Sequence, residues 1–140
     1  MNRNNPIVII EDDKDDQEIF TQAFKNLAYP NEIIFFSDGE AALKYLHKST
    51  SVPFLILSDI NMPKLDGFAL KKILKEDAVL SQKSIPYLFF STSLNQKAVK
   101  EAYNLCVQGF FVKEDRLDEI EKTLRAIMEY WKRCASPNNY

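Results

Sequence analysis

Five short apolar runs punctuate this chain of 140 residues: Ile7 to Ile10, Ile33 to Phe36, Phe54 to Leu57, Tyr87 to Phe90 and Phe110 to Val112. None alternates with polar residues, which is the pattern of strands covered by helices on both faces of a parallel sheet. Their starts lie 26, 21, 33 and 23 residues apart, room for a crossover helix in every gap. The gaps carry the helical period. Ile19, Phe20, Ala23, Phe24 and Leu27 form one stripe, Ala42, Leu43, Tyr45 and Leu46 the next, then Phe68, Leu70, Ile73 and Leu74, then Ala98, Ala102, Tyr103 and Cys106. Leu117, Ile120, Leu124, Ile127, Met128 and Trp131 follow the last run. Strand then helix, five times over, predicts an α/β domain with a parallel sheet and right-handed crossovers.

The punctuation between these elements fits. Asp38-Gly39 and Asp66-Gly67 mark turns at helix entries, and Asn95 and Asp115 are placed to cap the fourth and fifth helices. Residues 1–6 read as an N-terminal extension, 7–134 as one domain and 135–140 as an exposed, mobile tail; Asp77 to Pro86 reads as the longest irregular stretch. Lys and Arg number 18 against 20 Asp and Glu, a net charge of -2 that argues against nucleic-acid binding through bulk positive charge. No apolar run approaches a membrane span, and Met1 to Pro6 lacks the features of a secretory signal. The two cysteines, Cys106 and Cys134, sit in helical patterns without metal-ligand spacing, so they are expected as packed thiols in a reducing cytoplasm.

Ligands of an open parallel sheet bind beyond the carboxyl ends of its strands. There the first run ends in Glu11-Asp12-Asp13, the third in Ser58-Asp59, the fourth in Ser91-Thr92 and the fifth in Lys113. Two carboxylates about 5 Å apart repel by roughly 3 kcal/mol at an effective dielectric near 20, so gathering Glu11, Asp12 and Asp59 requires a compensating charge. A hard divalent cation such as Mg²⁺ supplies it, because it takes oxygen ligands and is typically held by one or two carboxylates plus a phosphate. A carboxylate beside Mg²⁺ can attack phosphorus, with the metal, Lys113 and a hydroxyl stabilising the equatorial oxygens; Asp59 is the best-placed nucleophile. The hydroxyl is Ser91 or Thr92, and counting from Pro86 favours Ser91.

These residues resemble the receiver domain of two-component response regulators, of which the bacterial chemotaxis regulator is a single-domain example. The resemblance runs from Ile7 to about Arg133. Ile7-Val8-Ile9-Ile10-Glu11-Asp12-Asp13 looks like the first strand with its acidic pair, and Ser58-Asp59-Ile60-Asn61-Met62-Pro63 with Asp66-Gly67 like the phosphoacceptor loop. Phe89-Phe90-Ser91-Thr92 looks like the switch-hydroxyl strand, and Gly109-Phe110-Phe111-Val112-Lys113 like the switch aromatic and its lysine. The resemblance implies a doubly wound, flavodoxin-like (βα)5 fold with strand order 2-1-3-4-5. It implies phosphorylation of Asp59 by a histidine kinase or a histidine phosphotransfer protein. Mg²⁺ would be held by Asp12, Asp59 and the Asn61 carbonyl, with Glu11 acting through water. Ser91 and Lys113 would hold the phosphoryl group, and Phe110 would fill the space Ser91 vacates. Asn61 and Ser93 would set the dephosphorylation rate. A downstream target protein is implied, since the receiver leaves no length here for an output domain, or else a place in a phosphorelay.

The chain departs from the pattern in two places: Glu114 stands where receivers usually carry a proline after the lysine, and the switch aromatic is Phe110 rather than tyrosine or histidine. The first departure keeps open a degenerate receiver acting as a phosphorylation-independent interaction module. A haloacid-dehalogenase-like phosphotransferase is the enzyme alternative, but it wants an aspartate where Asn61 stands and a nucleophile after the first strand. Asp15, Asp16 and Glu18 fall in the first turns of a helix, where acids favour the macrodipole, and are expected to be structural. His47 reads as surface, and Tyr130 and Trp131 as packing or partner surface rather than a cofactor site. The apolar content of the last helix, with Met128 and Trp131 near its end, offers a homodimer surface on the last two helices.

Overall fold

The computed structural model describes residues 2–92 and 95–137. Each apolar run is a strand, to within one residue at either end: β1 Ile7–Ile10, β2 Ile33–Phe36, β3 Leu55–Ser58, β4 Tyr87–Ser91 and β5 Gly109–Val112. The helices are α1 Lys14–Leu27, α2 Gly39–Lys48, α3 Gly67–Glu76, α4 Ala78–Gln82, α5 Gln96–Asn104 and α6 Leu117–Arg133. The strands form one five-stranded sheet in the order β2-β1-β3-β4-β5, every pair parallel.

Successive strand residues point to opposite faces, so the all-apolar strands divide between two cores. Ile7, Ile9, Leu55, Leu57, Leu88 and Phe90 pack with Phe20, Ala23 and Phe24 of α1 and Ile120, Leu124, Ile127 and Met128 of α6. Val8, Ile10, Ile56, Tyr87 and Phe89 pack on the other face with Ala42 and Leu46 of α2, Leu70 and Leu74 of α3, Leu80 of α4 and Ala102 of α5. β1 carries β2 on one side and β3 on the other, so the crossovers leaving β1 and β3 diverge. The resulting crevice lies beyond the ends of β1 and β3.

Most helix starts are built as the punctuation predicts. Asp38 Oδ1 accepts from Ala41 N at 2.9 Å, Asp66 Oδ1 from Ala69 N at 2.8 Å and Asn95 Oδ1 from Ala98 N at 2.8 Å. Asp115 does not cap α6: the N-cap is Arg116, without a side-chain cap bond, and Arg116 instead pairs with Asp118 at 2.7 Å. The stretch from Asp77 to Pro86 is not irregular throughout. Asp77 Oδ1 accepts from Val79 N and Leu80 N at 2.9 and 2.8 Å, starting α4, whose Leu80 is buried. Neither cysteine is a packed helical thiol. Cys106 is exposed, at a positive φ of 62° beyond α5, and Cys134 is the half-buried C-cap of α6. Met128 is fully buried and Trp131 packs against the core, so the surface part of the last helix is left to residues such as Tyr130.

The N-terminal turn, Asn2–Asn4, is tied down: Arg3 Nε donates to the Lys132 carbonyl at 2.8 Å, and Asn31 Nδ2 donates to the carbonyls of Arg3 and Asn5, both at 2.8 Å. At the other end of the sheet, α3 begins hard against the segment after β3. Gly67 N donates to Ile60 O at 2.8 Å, and a Cβ on Gly67 would lie 2.4 Å from the Asp59 carbonyl oxygen and 2.7 Å from Phe89 Cε1. The ring can turn aside but the carbonyl cannot. Gly67→Ala is therefore expected to cost about 1–3 kcal/mol and to lower Tm by roughly 3–10 °C in a thermal melt; an unchanged Tm would show that the loop yields freely.

Candidate functional site

Backbone hydrogen bonds carry the strand ends into the crevice. Glu11 N donates to Phe36 O at 2.9 Å, Asp59 N to Ile10 O at 3.0 Å and Lys113 N to Ser91 O at 2.9 Å, each extending the sheet pairing by one residue. Asp13 turns the chain into α1, its Oδ1 accepting from Asp15 N at 2.8 Å and Asp16 N at 3.1 Å. Gln17 Nε2 donates to the Glu11 carbonyl at 2.5 Å, pinning the first turn of α1 to the end of β1. Asp59 is fixed from its own side, Oδ1 accepting from Ile60 N at 2.7 Å.

The centre of the crevice is the Lys113 ammonium. Nζ lies 2.5 Å from Glu11 Oε1, 2.9 Å from Asp16 Oδ2 and 3.2 Å from Asp59 Oδ2. An ammonium has three N–H donors, and all three are engaged. The Lys113 side chain is 6% exposed and that of Glu11 2%, against 30% for Asp16. Burial alone would lower the lysine, but its hydrogen bonds to Glu11 and Asp16 and the charge of Asp59 outweigh burial and hold it above its ordinary value. Glu11 is pushed up to about 7: burial is the main cause and Asp59 adds to it, while Lys113 and the Asp13 N–H pull the other way.

Glu11, Asp12 and Asp59 each offer a carboxylate oxygen, and the three oxygens lie within 4.8 Å of one another. This all-oxygen donor set, more acidic than one lysine can balance, suits a hard divalent cation. Of the other expected residues, Asn61 is exposed two positions beyond Asp59, and Ser91 is buried at the end of β4 while Thr92 is exposed. Phe110 pairs in register with Phe89, the rings 6.1 Å apart, on the face that Ser91 shares by alternation. Phe111 points the other way and stacks on Phe90 at 5.4 Å. Ser93 lies outside the described residues. Among the described residues no peptide bond is cis, so Glu114 follows Lys113 through a trans bond. His47 is on the surface, 3.9 Å from Asp77.

Asp16 belongs to the site although its sequence position suggests only a favourable helix charge. The available signal was the cap: a helix starting at Lys14, straight after a strand end, swings its third residue back over that end. A cavity of about 350 Å³ lies at the opposite edge of the sheet, against Pro86 and Tyr87 at the start of β4; no carboxylate lines it.

A family model of the response regulator receiver domain matches residues 7–125, and the chain belongs to this family. It is 31% identical over 130 residues to response regulator Rcp1 of Synechocystis, covering 89% of this chain and 87% of that one. It is 30% identical to the probable methanogenesis regulatory protein FilR2 of Methanothrix harundinacea, over 89% of this chain and 82% of the relative. Among solved structures, the phosphorylated cyanobacterial phytochrome response regulator RcpA superposes with a TM-score of 0.83 at 31% identity, covering 95% of this chain and 96% of the other. The Mn²⁺-bound form of Rcp1 superposes with a TM-score of 0.79 at 29% identity, covering 93% and 96%. The five-stranded parallel sheet in the order 2-1-3-4-5 is that of the receiver fold. Among the described residues no helix is long and apolar enough to cross a membrane.

Glu11 gives the site a pH signature. Between its ordinary 4.5 and about 7, the folded protein keeps a proton that the unfolded chain releases. The stability this contributes is full below the lower value and is lost as pH rises through the upper one. In EDTA, the stability of Glu11→Gln relative to wild type, from urea melts, should therefore rise between about pH 5 and about pH 8, the window bracketed by those two values. A constant difference would show that Glu11 is ionised throughout.

Proposed function

We propose that this receiver accepts a phosphoryl group from a histidine kinase or a histidine phosphotransfer protein onto Asp59, in a Mg²⁺-dependent reaction. It then signals by changing its partner-binding surface, or passes the group along a phosphorelay. The observation that carries this reading is the meeting of Asp59, Lys113 and the acidic pair Glu11 and Asp12, from three separate strand ends, in one half-buried crevice. Asp12 and Asp59, with the Asn61 carbonyl and with Glu11 acting through water, would hold Mg²⁺, which would supply positive charge against the incoming phosphoryl oxygens.

Asp59 supplies the attacking carboxylate oxygen. Its bond to phosphorus forms as the P–N bond to the donor imidazole breaks, and the imidazole departs with the electron pair. Lys113 exchanges Asp59 Oδ2 for an oxygen of the acyl phosphate, and the Ser91 hydroxyl donates to another. Drawing Ser91 inward frees space for Phe110, which couples the charge event to α5, β5 and the start of α6. Tyr103, Val112 and Leu117 are exposed apolar residues on these elements, and they suit a target protein or a second copy of the chain. Asn61 and Ser93 would control how readily water reaches the phosphoryl group. A cytoplasmic location suits the two free thiols. RcpA is a phytochrome response regulator and FilR2 a probable methanogenesis regulator. Relatives that differ this much in signal support the acceptor chemistry as the shared property, not one sensor.

Incubation with Mg²⁺ and acetyl phosphate should give a species labile to base and hydroxylamine. Asp59→Ala and Asp59→Asn should abolish it, and Asp59→Asn should melt no lower than wild type, because it removes one carboxylate from an overcharged cluster. Lys113→Ala should keep part of the labelling and lose the change at the α5–β5–α6 surface. Wild type labelling no better than Asp59→Ala would sink the reading, and turnover of phosphate esters would favour the dehalogenase-like alternative.

A further inference from the structure

We infer that Asp16 is a positioning residue for Lys113: it holds the ammonium in the resting site and competes for it with the phosphoryl group arriving on Asp59. The inference rests on Asp59 being the phosphoacceptor.

Three observations carry it. The first is direction. Asp15 and Asp16 both sit in the first turn of α1 with their N–H groups capped by Asp13, yet Asp15 is exposed while Asp16 Oδ2 turns inward to Lys113 at 2.9 Å. An acid that only complemented the helix dipole would need no such partner. The second is rigidity of mounting. The Gln17 side chain bonds the Glu11 carbonyl, so the backbone that presents Asp16 is fixed relative to β1.

The third is the donor count. Glu11, Asp16 and Asp59 take all three N–H groups of Lys113, so the ammonium gains phosphoryl oxygens only by releasing carboxylates. Losing its cation is costly for a carboxylate 2% exposed, as Glu11 is, and far cheaper for one 30% exposed, which can turn to water. Asp16 is therefore the contact that yields beside Asp59 itself. Until it yields, it keeps a negative charge next to the lysine that the phosphoryl group, with its own negative charge, must engage.

The test measures initial labelling rates with subsaturating acetyl phosphate and Mg²⁺ in wild type, Asp16→Asn, Asp16→Ser, Lys113→Ala and the double variant Asp16→Asn with Lys113→Ala. Rates are expressed per folded molecule after a thermal melt of each. Asp16→Asn keeps the size of the side chain and removes its charge, so it should label roughly three- to tenfold faster, the scale of one half-buried charge contact. Asp16→Ser should follow it. In the Lys113→Ala background the acceleration should disappear, since Asp16 then has no ammonium to withhold. A labelling rate unchanged by both Asp16 substitutions overturns the inference, whatever they do to Tm. An acceleration that persists undiminished without Lys113 overturns it too, because Asp16 would then act on the phosphoryl charge directly. Wild type that does not label at all sinks the phosphoacceptor reading, and this inference with it.

Discussion

Carboxylates repel, and this fold brings four of them, Glu11, Asp12, Asp16 and Asp59, to one edge of a sheet. Among the described residues the opposing charge is the Lys113 ammonium. Lys113 reaches the crevice because β5 ends one residue before it and its own N–H continues the pairing with β4. Its burial would favour the neutral amine, but the surrounding carboxylates reverse that preference. The same burial raises Glu11 above its ordinary value, against the pull of Lys113. The carboxylates in the crevice thus outnumber the lysine that pairs with them.

The rest of the architecture serves to hold that unfavourable cluster in place. Two apolar layers, one under α1 and α6 and the other under α2 to α5, clamp the strands so that their ends cannot splay. On β4 and β5 neighbouring aromatics are dealt to alternate faces. Phe90 and Phe111 stack within one layer, while Phe89 and Phe110 meet in the other, on the side of Ser91. The two layers therefore differ: one holds the stacked Phe90–Phe111 pair, and the other holds the half-buried Phe110 on the face that Ser91 shares.

Most of this was legible in the residues. Strands buried on both faces must be continuously apolar, so Ile7 to Ile10 and Tyr87 to Phe90 announced themselves, and strand-end polarity marked Glu11, Asp12, Asp59 and Lys113. What escaped had a physical reason each time. α4 is five residues long with one buried apolar side chain, Leu80, too little to show a helical period. Asp115 looked like a cap, but α6 starts one residue later than that role requires, and its first-turn acids Asp118 and Glu119 complement the dipole instead. Met128 belongs to the apolar stripe of the last helix yet was also offered as homodimer surface, because a stripe does not say how wide a face the sheet will cover; it is fully buried. Asp16 was hidden by a sufficient generic explanation, since an acid in a first turn is ordinary and only three dimensions show which way it turns.

Gly67 has a mechanical meaning. Its missing side chain lets α3 begin in contact with the Asp59 carbonyl, and its own carbonyl accepts from the buried Tyr87 hydroxyl at 3.3 Å. The segment after β3 that carries Asp59 is thereby wedged between strand and helix with no slack on that flank. A displacement of Asp59 toward α3 would have to carry the whole helix with it. Motion started at Asp59 is left with the opposite way out, toward β4 and the edge strand β5.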